Sequence, residues 1–351
     1  MSSVPVSVLD LATVSAGATT ADALGATIDL VRAADGLGAH RFWVAEHHNM
    51  ASVAATNPPV LVGAIAARTE RIRVGSGGVM LPNHSPYVIA EQFAMLEALH
   101  PGRIDLGLGR APGADPITSW ALRRNQEGLG HEEFTEHVRL LEAWLSPHGV
   151  HAGMGHTLKA TPAAASYPEI WLLGSSDYSA RLAAQLGLSF AYAGHFGQLD
   201  PTSVIALYRQ GFRPGSRLAS PHSMLCTSVI AGATEEEARH LAAPSALQWV
   251  NLRRDVREPI QTPEEAQRRL AALDSDDVQG TKVIGTPAQV RAELDRLVSS
   301  TGVDELMVVT TAHDVATKVA TLEAVLGARA AVTHEGPGIS RGPRRGGKFV
   351  S

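Results

Sequence analysis

Thiol chemistry is almost absent from this sequence: Cys226 is the one cysteine in 351 residues, which excludes an internal disulfide framework and any metal site built from several thiolates. An excess of positive charge is missing too. Thirty Lys and Arg stand against 35 Asp and Glu, a formal net charge of −5, so the balance marks neither a nucleic-acid partner nor an anionic membrane surface. No apolar run approaches the roughly 18 residues of a membrane-spanning helix. The first residues, MSSVPVSVLD, lack the basic stretch, apolar core and small-residue cleavage site of an export signal, and a cytoplasmic location is expected. No internal repeat of about 20–50 residues is visible. What remains is 44% apolar and 19% charged residues, an ordinary globular mixture able to fill a large core.

Short β-rich runs alternate with longer helical patterns, the signature of βα units and a parallel sheet. Strands are expected at Val4–Leu9, Arg41–Ala45, Ile72–Gly75, Ile104–Leu108, Ile170–Leu173, Phe190–Ala193, Met224–Ile230 and Glu305–Val309. The helices expected between and after them are Thr20–Leu37, Pro58–Arg68 behind an Asn57 cap, Pro86–Leu99, Pro116–Arg124 with His131–Leu145, Tyr178–Leu186, Val204–Phe212, Thr234–Ala246 and Val315–Leu326. Thr234 with Glu237 three residues on reads as a capping box. Eight units without a linker predict a single α/β domain over residues 1–330, a (β/α)8 TIM barrel, with a doubly wound sheet as the alternative. Two stretches exceed what a barrel needs: a loop at 146–168, and an insertion at 247–285 containing a charged helix, Pro263–Leu273. Such excursions are usually functional. The Gly- and Pro-rich tail at 331–351 is basic and expected to be disordered.

In a barrel, reactive groups gather where strands end on the C-terminal face, and four strand ends carry unusual residues. The second ends in Glu46-His47-His48-Asn49, where imidazole suits proton transfer; polar loop groups facing water are the plainer reading. Adjacent residues diverge in an extended chain, so His47 and His48 make a poor pair of metal ligands and no metal is expected. The third runs through Gly75-Ser76-Gly77-Gly78, which suggests either a close backbone approach to a ligand or a simple bulge. The fourth ends at Arg110, whose guanidinium matches phosphate oxygens and equally suits a surface ion pair. Its glycines are followed by proline and lack the dinucleotide-binding spacing. The fifth, Gly174-Ser175-Ser176-Asp177-Tyr178-Ser179, opens a helix whose free N–H groups can take an anion or be capped by a serine. His195 and Phe196, after the sixth strand, can project into the same opening. Together these ends fit a phosphate-bearing aromatic cofactor such as flavin mononucleotide.

Four blocks, RFWVAEHHN (41–49), the long run RIRVGSGG…GRAPG (71–113), WLLGSSDYSARLAAQLGLSFAYAGHF (171–196) and VIGTPAQVRAEL (283–294), resemble the bacterial luciferase-like flavin-dependent monooxygenases, and the likeness runs from Val4 to about Leu326. The resemblance implies a dimeric (β/α)8 barrel that takes reduced FMN (FMNH2) from a separate flavin reductase. With O2 the flavin would form a C4a-(hydro)peroxide that oxygenates a small organic substrate. It makes His47 the active-site histidine and Glu46 a carboxylate lining the flavin site. Gly77 and Gly78 become a pair joined by a cis peptide under the ring, and Arg110 a phosphate ligand. Gly174, Ser175, Ser176, Tyr178 and Ser179 become the phosphate loop, with His195 nearby. A second phosphate-binding arginine would be Arg123 or Arg124. Ser175 stands where luciferase has glutamate and Ala193 where it has serine; both departures count against light emission. Related barrels use the deazaflavin F420 for hydride transfer, and one relative binds flavin without catalysis; these are the two alternatives.

Overall fold

The structure is a computed structural model describing residues 4–111, 115–123, 133–151, 153, 155–215, 217–273 and 282–327. The expected disordered tail, Arg124 and the side chain of Arg123 lie outside the described residues. Eight parallel strands close a ring: β1 (Val6–Asp10), β2 (Arg41–Val44), β3 (Arg73–Met80), β4 (Ile104–Gly109), β7 (Glu169–Gly174), β8 (Ser189–Ala193), β9 (Ser223–Ala231) and β11 (Glu305–Val309). Pairing of β9 with both β8 and β11, and of β11 with β1, completes the barrel. A doubly wound sheet would leave two open edges, so that alternative is excluded. Around the ring lie α1 (Thr20–Gly36), α2 (Pro58–Ala66), α3 (Pro86–Leu99), α4 (Pro116–Arg123), α5 (Phe134–Trp144), α6 (Asp177–Leu186), α7 (Pro201–Gly211), α8 (Glu235–Arg253), α9 (Pro263–Ala271), α10 (Pro287–Thr301) and α11 (Val315–Leu326). No helix among the described residues is long and apolar enough to cross a membrane.

Several boundaries differ from the sequence reading, each for a local reason. β3 continues to Met80 rather than stopping at Gly75, because its register on β4 shifts between Ser76 and Val79 and the strand carries on through Gly77-Gly78. The bond joining those two glycines is cis. A Cβ on Gly78 would lie 2.9 Å from the Gly107 carbonyl oxygen, so glycine is what lets β3 and β4 approach here. α8 passes Ala246 and ends at Arg253, with Pro244 inside it. Thr234 caps it by accepting from the Glu237 N–H at 3.1 Å, while the Glu237 carboxylate reaches the N–H of Ala233 instead of closing the expected box. The 146–168 loop holds a small hairpin, β5 (Val150–His151) with β6 (Thr157–Leu158). The stretch expected as an insertion at 247–285 thus begins inside α8. It ends in β10 (Val283–Gly285), which pairs beside β9 and leads into α10 behind a Thr286–Gln289 capping box.

Two apolar layers result. Phe42, Ile65, Phe93, Phe190 and their neighbours fill the space between barrel and helices, each such side chain contributing about 1.5–3 kcal/mol by burial. Inside the bore Leu9, Trp43, Trp171, Met224, Cys226 and Met307 pack together, with Trp43 edge-on to Trp171 at 5.5 Å. Charges close the bore at the N-terminal end. Arg41 bonds Asp105 and Glu169 at 2.8 Å and Glu305 at 3.0 Å, Arg73 shares Asp105 at 2.6 Å, and the Trp43 indole N–H donates to Asp105 at 2.9 Å. The opposite, C-terminal end opens into a cavity.

Candidate active site

The cavity, of about 650 Å³, is lined from almost every strand end. On one side β4 ends at Arg110, and its guanidinium carbon lies 4.0 Å from the centroid of the Tyr178 ring. Among the described residues no carboxylate pairs with Arg110. Beside it α6 begins at Ser176, in extended conformation and making no side-chain cap bond, so its first N–H groups and positive dipole end stay available to an anion. Gly174 is required here because any Cβ would collide with Ser179, which packs beneath the strand end. Arg110, Gly174, Ser175, Ser176 and Ser179 therefore share one wall, as the sequence suggested. Tyr178 does not line the cavity: it serves as the platform under Arg110, its hydroxyl 3.3 Å from that of Thr135.

Gly77 and Gly78 line the next wall with backbone alone. His47 and His195 line the cavity as well, each with a buried Nδ1 that has no hydrogen-bond partner. Burial holds the His47 imidazole below its ordinary pKa despite the neighbouring Glu46, and burial with the nearby His47 pushes His195 down to about 3. Both rings are thus neutral near pH 7, able to donate or accept a hydrogen bond. His48 turns the other way, as strand alternation requires, to bond Glu46 at 2.8 Å.

Glu46 itself corrects an expectation. It is fully buried and does not face the cavity. Its carboxylate accepts from His48 and His84 at 2.8 Å, from Asn83 at 3.3 Å and from the Met80 N–H at 3.0 Å. Burial alone would raise its pKa, but these hydrogen bonds hold it down at about 2. Glu46 thus pins the end of β3 to the end of β2 beside His47. Asn49 likewise turns to the rim, where Asp115 accepts from it at 3.1 Å and from Arg257 at 3.0 Å.

Sequence reasoning missed the roof. Thr13 on the β1–α1 loop, Ser52 and Val53 on the β2–α2 loop, Gln248, Trp249 and Leu252 on α8, and Ile260 beyond it close the remaining sides. Backbone bonds lace these segments together: Val14 N–H to Ser52 O at 2.9 Å, Ala16 N–H to Ile260 O at 2.8 Å, Ile260 N–H to Val14 O at 2.9 Å. The one available signal was the apolar stripe of α8 continuing past Ala246.

His195 supplies a test. Its folded pKa lies below the value near 6.5 of a free histidine, so the unfolded chain takes up the proton first. Folded-state stability should therefore fall as pH drops from about 6.5 toward about 3, by at most about 1.4 kcal/mol per pH unit for this one group. Urea midpoints of the ligand-free protein should fall less steeply over that window in His195→Asn than in the parent. Equal slopes would mean that His195 is not held neutral.

The luciferase-like monooxygenase family model matches residues 4–305. The chain is 41% identical over 311 residues to a luciferase-like monooxygenase of Escherichia coli (strain K12), covering 86% of this chain and 90% of that one. It is 37% identical over 321 residues to the N-acetyl-S-alkylcysteine monooxygenase of Bacillus subtilis (strain 168), covering 87% and 92%. Among solved structures, apo-MsnO8 matches with a TM-score of 0.87 at 34% identity, over 94% of this chain and 99% of that one. More distant structures share the fold alone. They include the oxygenating constituent of 3,6-diketocamphane monooxygenase from Pseudomonas putida in complex with FMN, at a TM-score of 0.66 and 20% identity over 92% of this chain and 96% of that one. An F420-dependent secondary alcohol dehydrogenase in complex with an F420-acetone adduct is another, at 0.63 and 16% over 93% and 98%. On the extent of these matches and the strand-end architecture they accompany, this chain belongs to the luciferase-like monooxygenase family.

Proposed function

We propose that the chain is the oxygenating component of a two-component system, taking reduced FMN from a separate flavin reductase and using dioxygen to oxygenate a small organic substrate. The observation that carries this reading is one cavity that holds both an anion-receptive wall and two neutral imidazoles. Arg110 and the opening of α6 would hold the ribityl phosphate. The bare backbone of Gly77-Gly78 leaves space for a flat ring. When bound, reduced FMN supplies the electrons that activate dioxygen. The apolar walls exclude water, and His47, held neutral, can hand over or hold a proton at its Nε2, the ring nitrogen that is not enclosed.

His47→Ala should bind FMN within about threefold of the parent while product formed per oxygen consumed drops by about 10²-fold, the usual contribution of a positioned acid–base group. Product and oxygen measured together, with FMNH2 supplied, check this; unchanged coupling would remove His47 from the chemistry. Parallel titrations with FMN and F420 test the cofactor. The F420 reading takes over if F420 binds tightly and FMN does not bind at all.

A further inference from the structure

We propose that the cavity-facing stripe of α8, together with Ser52 across from it, is a subsite for an uncharged, largely apolar substrate bearing one neutral oxygen function, a carbonyl or hydroxyl, that Gln248 recognises. Ser245, Gln248, Trp249 and Leu252 all line the cavity. Their offsets of three, four and seven residues put them on one face of a helix. This stripe is held in place. Gln248 donates its amide N–H to the Ser52 hydroxyl oxygen at 2.8 Å, Ser52 is buried, and Asn251 on the same helix donates to Glu258 at 2.6 Å. The bond to Ser52 consumes one of the four hydrogen-bonding positions of a glutamine amide. The Gln248 carbonyl oxygen and second N–H make no hydrogen bond among the described residues, and around them Trp249, Leu252 and Ile260 present apolar surface.

Charge decides the class of ligand. Among the described residues that line the cavity, Arg110 is the one charged side chain, and it sits on the far wall beside α6. Neither histidine offers a positive charge near neutrality. A carboxylate or ammonium group brought against α8 would lose its hydration with no charged side chain on that wall, since the nearby Lys318 is already paired with Asp10 and Lys282 is exposed, a cost above that of a neutral oxygen that can pair with Gln248. An apolar body is favoured by the walls and one polar group is fixed by the amide, the usual design of a small-molecule site.

The proposal rests on the flavin reading only in calling the ligand a substrate, so it is tested without flavin. Octan-2-one, octanoate, octylammonium and octane are titrated into the ligand-free protein by calorimetry. Octan-2-one should bind at least about 30-fold more tightly than either ion. Gln248→Leu should weaken the ketone about tenfold and leave octane unchanged, the octane affinity reporting that the cavity has kept its shape; Ser52→Ala should weaken the ketone less. Gln248→Lys should reverse the preference in favour of octanoate. Parity of either ion with the ketone in the parent, or a Gln248→Leu variant that binds the ketone as well as the parent does, overturns the proposal. A separate FMN titration of the parent reports on the flavin reading alone, so the two can fail independently.

Discussion

Arg110→Ala is expected to weaken FMN binding by about 30-fold to several thousandfold while changing riboflavin binding by less than about threefold. The range follows from removing one partner of a charge-assisted pair, about 2–5 kcal/mol, at about 1.4 kcal/mol per tenfold. Two features favour the proposed phosphate role of this arginine over that of a surface cation. It has no carboxylate partner among the described residues, and its guanidinium lies over the ring of Tyr178, which fixes the orientation of the donors before any ligand arrives. Riboflavin has the same ring and ribityl chain without the phosphate, so it isolates the contribution of charge. Tyr178→Phe keeps the platform and should bind FMN as the parent does, whereas Tyr178→Ala should lose part of what Arg110→Ala loses. Quenching of flavin fluorescence on binding measures all of these. Equal losses for the two flavins would remove the phosphate assignment.

The second large effect is at the other end of the barrel. Arg41→Leu should destabilise the protein by about 3–5 kcal/mol, because it leaves Asp105 and Glu305 buried with one cation fewer. Their side chains are 0% and 1% exposed. Glu169, at 45% exposure, can turn to water and adds little, and Arg73 still serves Asp105, which keeps the loss within that range. The pH dependence carries the signature. Burial opposes ionisation of Glu305, yet the His222 ring 3.6 Å away, the charge of Arg41 and the Ser7 hydroxyl hold its pKa below the ordinary value; Arg41 and Arg73 do the same for Glu169. Carboxylates held low add stability that is present above their unfolded pKa and lost as pH falls through the folded one. The gap between parent and Arg41→Leu should therefore be widest at pH 7 and narrow below about pH 4.5. Urea denaturation at a series of pH values reads this directly. A gap that stayed constant with pH would mean that the arginine contributes by packing rather than by charge.

The strands of the barrel are legible because each is a short β-rich run bounded by turn residues, and Arg110, His47 and the Gly77-Gly78 pair are legible because they sit where such runs stop. Glu46 is found in the expected segment but in a different role. Nothing in an EHH triplet says which side chain enters the bore and which folds back, since that depends on Met80, Asn83 and His84, more than thirty residues away. Tyr178 departs from its expected place for a similar reason, its ring being one helical step from the serines yet turned under Arg110. The roof is hidden more deeply. Residues 11–13, 52–53, 245–252 and 260 meet only because the closed ring brings their loops together, and the expected helix stops at Ala246, seven residues short of the observed end of α8 at Arg253.

The ionic floor also governs traffic. With Arg41, Asp105, Trp43 and Trp171 all closed to solvent, the bore is a cul-de-sac at that end, and the described residues leave the C-terminal face as its doorway.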